Sequence, residues 1–253
     1  MLSFYGFARF VDEIGDAYVG DRIAALDWVA STTKAALEGT GGGHPLIARA
    51  AASVRELGTD PRPLFDLVEA NRMDQRNPRY ETFDDLLRYC TLSANPVGRL
   101  VLAAFRCDAR GAEEHSDSIC TGLQIVEHCA DMAEDYRAGR IYIPADDWRR
   151  FDVEPSAVTS RAGSSYELRA LVAFELARAR RFLDAGLPLV DLLPPRLRWA
   201  TAGFWAGGRG AIDRIASRDF DVSAPAATPK ASRVLLHLVG AFARRPELRR
   251  LKS

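Results

Sequence analysis

Apolar residues recur at three- and four-residue spacing through almost all of this chain, and that period belongs to the α-helix. The spacing predicts helices near residues 3–17, 21–38, 44–57, 62–76, 82–106, 113–138, 165–186 and 189–217. Two-residue alternation bounded by hairpin turns is missing, so no sheet is expected. Breaks coincide with turn residues in "EGTGGGHP", "TDPRP", "RNPR", "RAGRIYIP" and "LLPP". A Pro/Ala/Ser stretch, "FDVSAPAATPKAS" at 220–232, precedes a final apolar run with a basic end. The expected architecture is one all-α bundle over residues 1–218, then a linker and a basic amphipathic helix over 219–253.

The glycine run "GTGGGHP" follows a helix rather than a strand, and the phosphate-loop spacings GxGxxG and GxxxxGK[ST] are absent from it. It reads as an interhelical loop. Two carboxylate clusters are harder to dismiss. In "YGFARFVDEIGDAY", Asp12 and Asp16 stand one turn apart beside Phe7, Phe10 and Val11, with no basic residue between them. Like charges at that spacing oppose helix formation. In "LQIVEHCADMAEDYRAGRIYIP", Glu127, Asp131 and Asp135 are spaced by four, with Glu134 beside them and Arg137 and Arg140 only afterwards. Each cluster alone could be a solvated acidic face. On two helices that face each other, they would converge on a cavity fit for hard divalent cations, since Mg²⁺ takes oxygen ligands and is completed by water and phosphate. A di-iron centre would want Glu-x-x-His pairs, and none of His44, His115, His128 and His237 follows a Glu by three.

Arg9, three residues before Asp12, suits either an ion pair with it or a diphosphate, which needs forked donors as well as a metal. Tyr5, Phe7, Phe10, Tyr89 and Tyr136 are candidates to line a cation-tolerant pocket.

Composition narrows the classes further. A chain of 253 residues with 47% apolar content can bury one large core. Its formal net charge is zero, so it lacks the basic excess of a nucleic-acid binder. Cys90, Cys107, Cys120 and Cys129 show no CxxC pairing and read as reduced, mostly helix-buried thiols. The start "MLSFYGFARF" lacks the features of a secretory signal, and no stretch reaches the roughly 20 apolar residues of a membrane span. A cytoplasmic location is expected. The basic end gives the last segment a second option, peripheral contact with the inner membrane surface.

The two acidic motifs, "YGFARFVDEIGD" and "DMAEDYRAGRIYIP", resemble the aspartate-rich motifs of the squalene/phytoene synthases. "YETFDDLLRYCTLSANPVGRLVL" resembles that family's central helix and "FWAGGRGAIDRI" its late helix, so the likeness runs over residues 4–218. "SANPVGRLVL" with "EHCADMAEDYRAGR" looks closest to the bacterial hydroxysqualene branch. The resemblance implies an isoprenoid-synthase bundle with a central cavity. It implies that Asp12, Asp16, Asp131 and Asp135, with Glu134 as a weaker candidate, hold Mg²⁺ against a prenyl diphosphate. Arg9, Arg137 and Arg140 would contact the diphosphate and Gln124 would line the site. Tyr89 matches a tyrosine with an acid/base or cation-guiding role, and Tyr5 matches another cavity tyrosine.

The implied reaction converts presqualene diphosphate to hydroxysqualene, or to squalene if NADPH supplies hydride, alongside a presqualene diphosphate synthase. Alternatives are head-to-head condensation of two prenyl diphosphates such as farnesyl diphosphate, and a non-catalytic assembly protein of the same fold. Three departures from the family pattern stand out. Glu127 and Ala130 occupy positions usually held by Asn and Arg, and "SANPVG" replaces a more usual Ala-Gly-x-Val-Gly. The family also has a helix ahead of "YGFARF" with a Ser-Phe element. Only four residues precede Tyr5, so that helix is expected to be missing.

Overall fold

A computed structural model describes residues 1–41, 43–76, 79–223 and 231–243. It contains α1 (Leu2–Ala17), α2 (Arg22–Glu38), α3 (Pro45–Leu57), α4 (Arg62–Gln75), α5 (Phe83–Ser93), α6 (Asn95–Ala104) and α7 (Ala112–Ala130). The chain continues through α8 (Met132–Arg137), α9 (Ala145–Arg150), α10 (Tyr166–Gly186), α11 (Leu189–Leu192), α12 (Pro195–Ala216) and α13 (Ala231–Ala243). No strand occurs among the described residues, and one isolated bridge joins Arg79 to Ile141. The all-α expectation holds.

Three long expected helices are broken. The 82–106 segment splits between α5 and α6, where Pro96 sits in the first turn of α6, a position that tolerates its missing N–H. The 113–138 segment splits at Asp131, whose backbone (φ −103°, ψ 10°) leaves the helical basin. The 189–217 segment splits before Pro195, leaving the four-residue α11. The short α9 did not register in the apolar period.

Two hydrophobic cores divide the bundle. One gathers Phe7, Val11, Leu26, Ile47 and Leu64 from α1 to α4. The other gathers Ile125, Leu168, Leu176, Leu183 and Trp205 from α7, α10 and α12. Fully burying each such side chain contributes roughly 1.5–3 kcal/mol. A smaller cluster around Tyr80, Leu86 and Tyr89 lies apart from both.

The α7–α10 seam is unusually close. A Cβ on Gly122 of α7 would stand 3.0 Å from the carbonyl oxygen of Ala179, and one on Gly186 would stand 2.6 Å from that of His115. Local signals in the sequence fix the helix starts: Asp21 caps α2, Ser165 caps α10, and Thr82 with Asp85 forms a capping box on α5. The described part of the terminal segment, α13, packs against α12; the rest of the expected basic end lies outside the described residues, as do residues 224–230 of the linker. All four cysteines are free; Cys107 sits in the α6–α7 loop rather than in a helix.

Candidate active site

Between α1, α4, α5–α6 and α7–α8 lies a cavity of about 560 Å³. One set of its lining residues is acidic: Asp12 and Asp16 from α1, Glu127, Asp131 and Asp135 from α7 and α8. Another is small or apolar: Leu67, Ala70, Ala94, Val97, Cys120 and Leu123. On α7 the two grade into one another, because Cys120, Leu123 and Gln124, Glu127, and Asp131 follow at helical spacing over about 16 Å.

The first acidic pair is held in place by α4. Gly15 has no Cβ, and one added there would stand 2.0 Å from Asn71 Oδ1. Asn71 therefore presses against α1, where its amide donates to Asp12 at 3.4 Å, while Gln75 donates to the Gly15 carbonyl at 2.9 Å. Asp12 sits above its ordinary pKa, chiefly through burial; Asn71 and Arg9 pull it down and Asp16 pushes it up.

The second group keeps its stripe despite the break. Asp131 N–H donates to the Glu127 carbonyl at 2.9 Å and Asp135 N–H to the Asp131 carbonyl at 2.8 Å, so the ladder bends without being lost. Burial lifts Asp135 to about 6, against the pull of Arg140, with Asp131, Glu134 and Asp74 adding repulsion. Asp131 and Glu127 are raised too, each by burial first and a neighbouring carboxylate second.

Arg140 joins the clusters. After α8, Gly139 turns the chain with φ +81°, a conformation that glycine adopts without strain. Arg140 then donates to Asp16 Oδ1 at 3.1 Å and lies 3.5 Å from Asp135 Oδ1. The following residues are fastened to the start of α5: Ala145 N–H donates to the Tyr80 carbonyl at 2.8 Å and Asp146 N–H to that of Glu81 at 3.0 Å. This fastening sets Tyr142 against the cavity.

The aromatic wall differs from the expected one. Phe7 is buried in the α1–α4 core, Phe10 stacks on His44 at 4.3 Å, and Tyr136 is outside the cavity lining. Of the expected rings Tyr89 is in the wall, joined by Tyr142 and His128, with His128 stacked on Tyr142 at 3.9 Å. Asp74, which sequence reasoning missed, ties it together. It accepts from Tyr89 Oη at 2.8 Å and from Tyr142 Oη at 3.1 Å. Burial raises Asp74 to about 6 although both hydrogen bonds pull the other way. Burial raises both tyrosines and lowers His128 to about 3, leaving them neutral at physiological pH. Asp74 had one visible signal: with Leu67 and Ala70 it falls on the inward register of α4, where a carboxylate is out of place.

Of the residues singled out in the sequence, Asp12, Asp16, Tyr89, Gln124, Asp131, Asp135 and Arg140 line this one cavity. Tyr5, Arg9, Glu134 and Arg137 do not line it: all four are exposed. Arg9 remains close enough to Asp12 to pull on its charge.

Among the described residues, no three His, Cys, Asp or Glu side chains stand close enough to enclose a metal ion by themselves. The donor set nevertheless fits Mg²⁺. It offers carboxylate oxygens on opposing helices, Asp12, Asp131 and Asp135 raised above their ordinary pKa by burial and by neighbouring carboxylates, and Mg²⁺ leaves most of its shell to water and phosphate.

A family model described as squalene/phytoene synthase matches residues 1–240. The chain is 37% identical over 151 residues to a hydroxysqualene synthase from Rhodopseudomonas palustris, a match covering 58% of this chain and 50% of that one. It thus spans about half the length of that relative. The crystal structure of squalene synthase HpnC from Alicyclobacillus acidocaldarius superposes with a TM-score of 0.79 at 36% identity, covering 86% of this chain and 82% of that one. A dehydrosqualene synthase solved with a ligand has the same fold, with a TM-score of 0.84 at 21% identity over 95% of this chain and 84% of that one.

Proposed function

We propose, from the premise that this chain belongs to the squalene/phytoene synthase family, that it is a Mg²⁺-dependent enzyme converting presqualene diphosphate to hydroxysqualene. The observation that carries the reading is the cavity itself, acidic along one side with Arg140 across it, apolar and aromatic elsewhere. The likeness to hydroxysqualene synthases supports the choice of reaction within the family. Asp12, Asp16, Asp131 and Asp135 would hold the metal, which when bound neutralises the leaving diphosphate.

The chain's own residues supply the rest of the reading. Arg140, already turned toward both clusters, offers forked donors to the diphosphate as the carbon–oxygen bond breaks. Tyr89, Tyr142 and His128 present neutral ring faces to the hydrocarbon cation. Asp74 fixes both tyrosine hydroxyls, so those rings are oriented before substrate arrives. Leu67, Ala70 and Leu123 give the prenyl chain an apolar wall, leaving capture of the cation to a water admitted at the polar side, whose proton leaves with the released diphosphate. No hydride donor is needed for this product; squalene would need NADPH. In this reading the chain works in the cytoplasm at the inner membrane surface, receiving substrate from a presqualene diphosphate synthase.

Product analysis tests it. Purified protein with Mg²⁺ is given presqualene diphosphate or farnesyl diphosphate, with and without NADPH. Hydroxysqualene from presqualene diphosphate without NADPH is the expected result. Squalene only with NADPH would make it a reductive synthase. Product from farnesyl diphosphate alone would move it to head-to-head condensation, and no diphosphate release from either would leave a non-catalytic assembly protein.

A further inference from the structure

Helix α13 turns one face to the body and the other to solvent. Inward, Ala241 is buried, His237 Nε2 lies 2.8 Å from Asp213 Oδ2, and Phe242 packs on Trp199 with ring centroids 4.2 Å apart. Outward, Leu235, Leu236 and Val239 are 60%, 61% and 58% exposed. A helix packed on one side normally presents polar residues on the other; this one presents Leu and Val. Trp199 on α12, itself 58% exposed, continues the apolar surface past Phe242.

The charge beside the patch is basic. Arg233 on α13 and Arg196 on α12 are exposed, and the carboxylate nearest Arg233, that of Asp213 at 3.9 Å, is already engaged by His237. The sequence after residue 243, "RRPELRRLKS", adds five basic residues against one Glu.

We propose that the exposed apolar face of α13, with Trp199 beside it, docks onto an anionic lipid bilayer. The patch amounts to a few hundred Å², too little for a second copy of the chain, since stable partners bury roughly 800 Å² each. It is ample for an interfacial helix, which sinks one apolar face into the headgroup boundary and sets basic residues against anionic headgroups. The inference deepens the reading above, in which the prenyl chains of the diphosphate substrate and of the long-chain alcohol product both partition into lipid.

Vesicle flotation of the full chain, without substrate, tests it separately from turnover. The wild type is expected to float with vesicles of phosphatidylglycerol in phosphatidylcholine and to be released by high salt. The triple variant Leu235→Ser, Leu236→Ser, Val239→Ser is expected to bind at least about tenfold more weakly, with an unchanged thermal melt because those side chains face outward. Arg233→Gln should weaken binding to the anionic vesicles and leave binding to pure phosphatidylcholine unaltered. Equal binding by wild type and triple variant, or no binding to anionic vesicles, overturns the proposal. So does a concentration-dependent dimer in sedimentation that the triple variant abolishes. A chain that floats without turning over any prenyl diphosphate would sink the functional reading and leave the docking surface standing.

Discussion

Tyr89 on α5 donates its hydroxyl to Asp74 on α4 at 2.8 Å, and the same carboxylate receives Tyr142 at 3.1 Å. One buried acid thus sets the attitude of two rings in the cavity wall. Asp74→Asn, whose one carbonyl oxygen replaces one acceptor while its NH₂ faces the other hydroxyl, should lower kcat about 10- to 100-fold with KM within a few fold. Tyr89→Phe should do the same while leaving Tyr142 on Asp74. Steady-state diphosphate release measures both, and unchanged kcat in both would remove this wall from the mechanism.

Arg140 pairs with Asp16 across 124 residues of sequence. Arg140→Gln should reduce kcat/KM about a hundredfold or more, the size of effect seen when a preorganised donor is lost at a developing anion. The ion pair itself is partly exposed, so the melting temperature should barely change. A large loss of stability with intact turnover would mean that Arg140 is a strut rather than a diphosphate contact.

Asp12→Asn and Asp135→Asn should each reduce turnover to about 1% or less. Above pH 6 neither should destabilise the metal-free protein, because an amide carries none of the burial penalty that raises these carboxyls. Undiminished turnover in both variants would rule out their assignment to Mg²⁺.

The pH dependence follows from the direction of those shifts. Asp74 and Asp135 rise from 3.8 to about 6 on folding. The folded state therefore holds protons more tightly than the unfolded one. That contribution to stability is fully present below the ordinary carboxylate value and is lost as pH rises through about 6. Mg²⁺ binds only the ionised carboxylates, so its stabilisation should grow over the same window. Differential scanning fluorimetry at about pH 5 and about pH 8, with and without Mg²⁺, should show the larger shift at the higher pH. A larger shift at the lower pH would contradict it.

Stability has its own test away from the cavity. Glu175 of α10 is fully buried, accepts from Arg178 at 2.8 Å, and shares that guanidinium with Asp147 of α9. Arg178→Met should cost about 3–5 kcal/mol by leaving the two carboxylates without their cation. Burial pushes Glu175 up to about 8, so it is mostly protonated in the folded chain at neutral pH although it ionises when unfolded, and Glu175→Gln in the same chain removes that cost and should recover part of the loss. Urea unfolding of the single and double variants measures both.

The helices were legible because each buries a stripe at a 3.6-residue period, and so were both acidic clusters, because four-residue spacing survives the bend at Asp131. The bend itself was not, since "HCADMAED" contains neither Gly nor Pro to announce it. Nor was the break before α6, because Pro96 fits a helix start as well as it interrupts a helix. Asp74 was missed for a different reason. Its role depends on tyrosines 15 and 68 residues away, and only the folded chain brings them to it. Tyr5 was drawn into the site by the family resemblance, and Arg9 by that and by its place three residues before Asp12, yet the cavity ends before it reaches them.

The glycines of the α7–α10 seam bear on which prenyl chains the cavity will take. Gly122 and Gly186 let the two backbones touch, so α7 has no slack behind it and any larger side chain there must push it into the cavity. On the other flank of α7, Gly98 of α6 is pressed as closely: a Cβ there would stand 2.4 Å from Ser116 Oγ and 2.8 Å from Cys120 Sγ. Held by glycine contacts on both flanks, α7 is a fixed edge of the cavity, and a change in the prenyl length it accommodates should come from the side chains that line it, Ala94, Val97 and Leu123 among them, rather than from a shift of that helix.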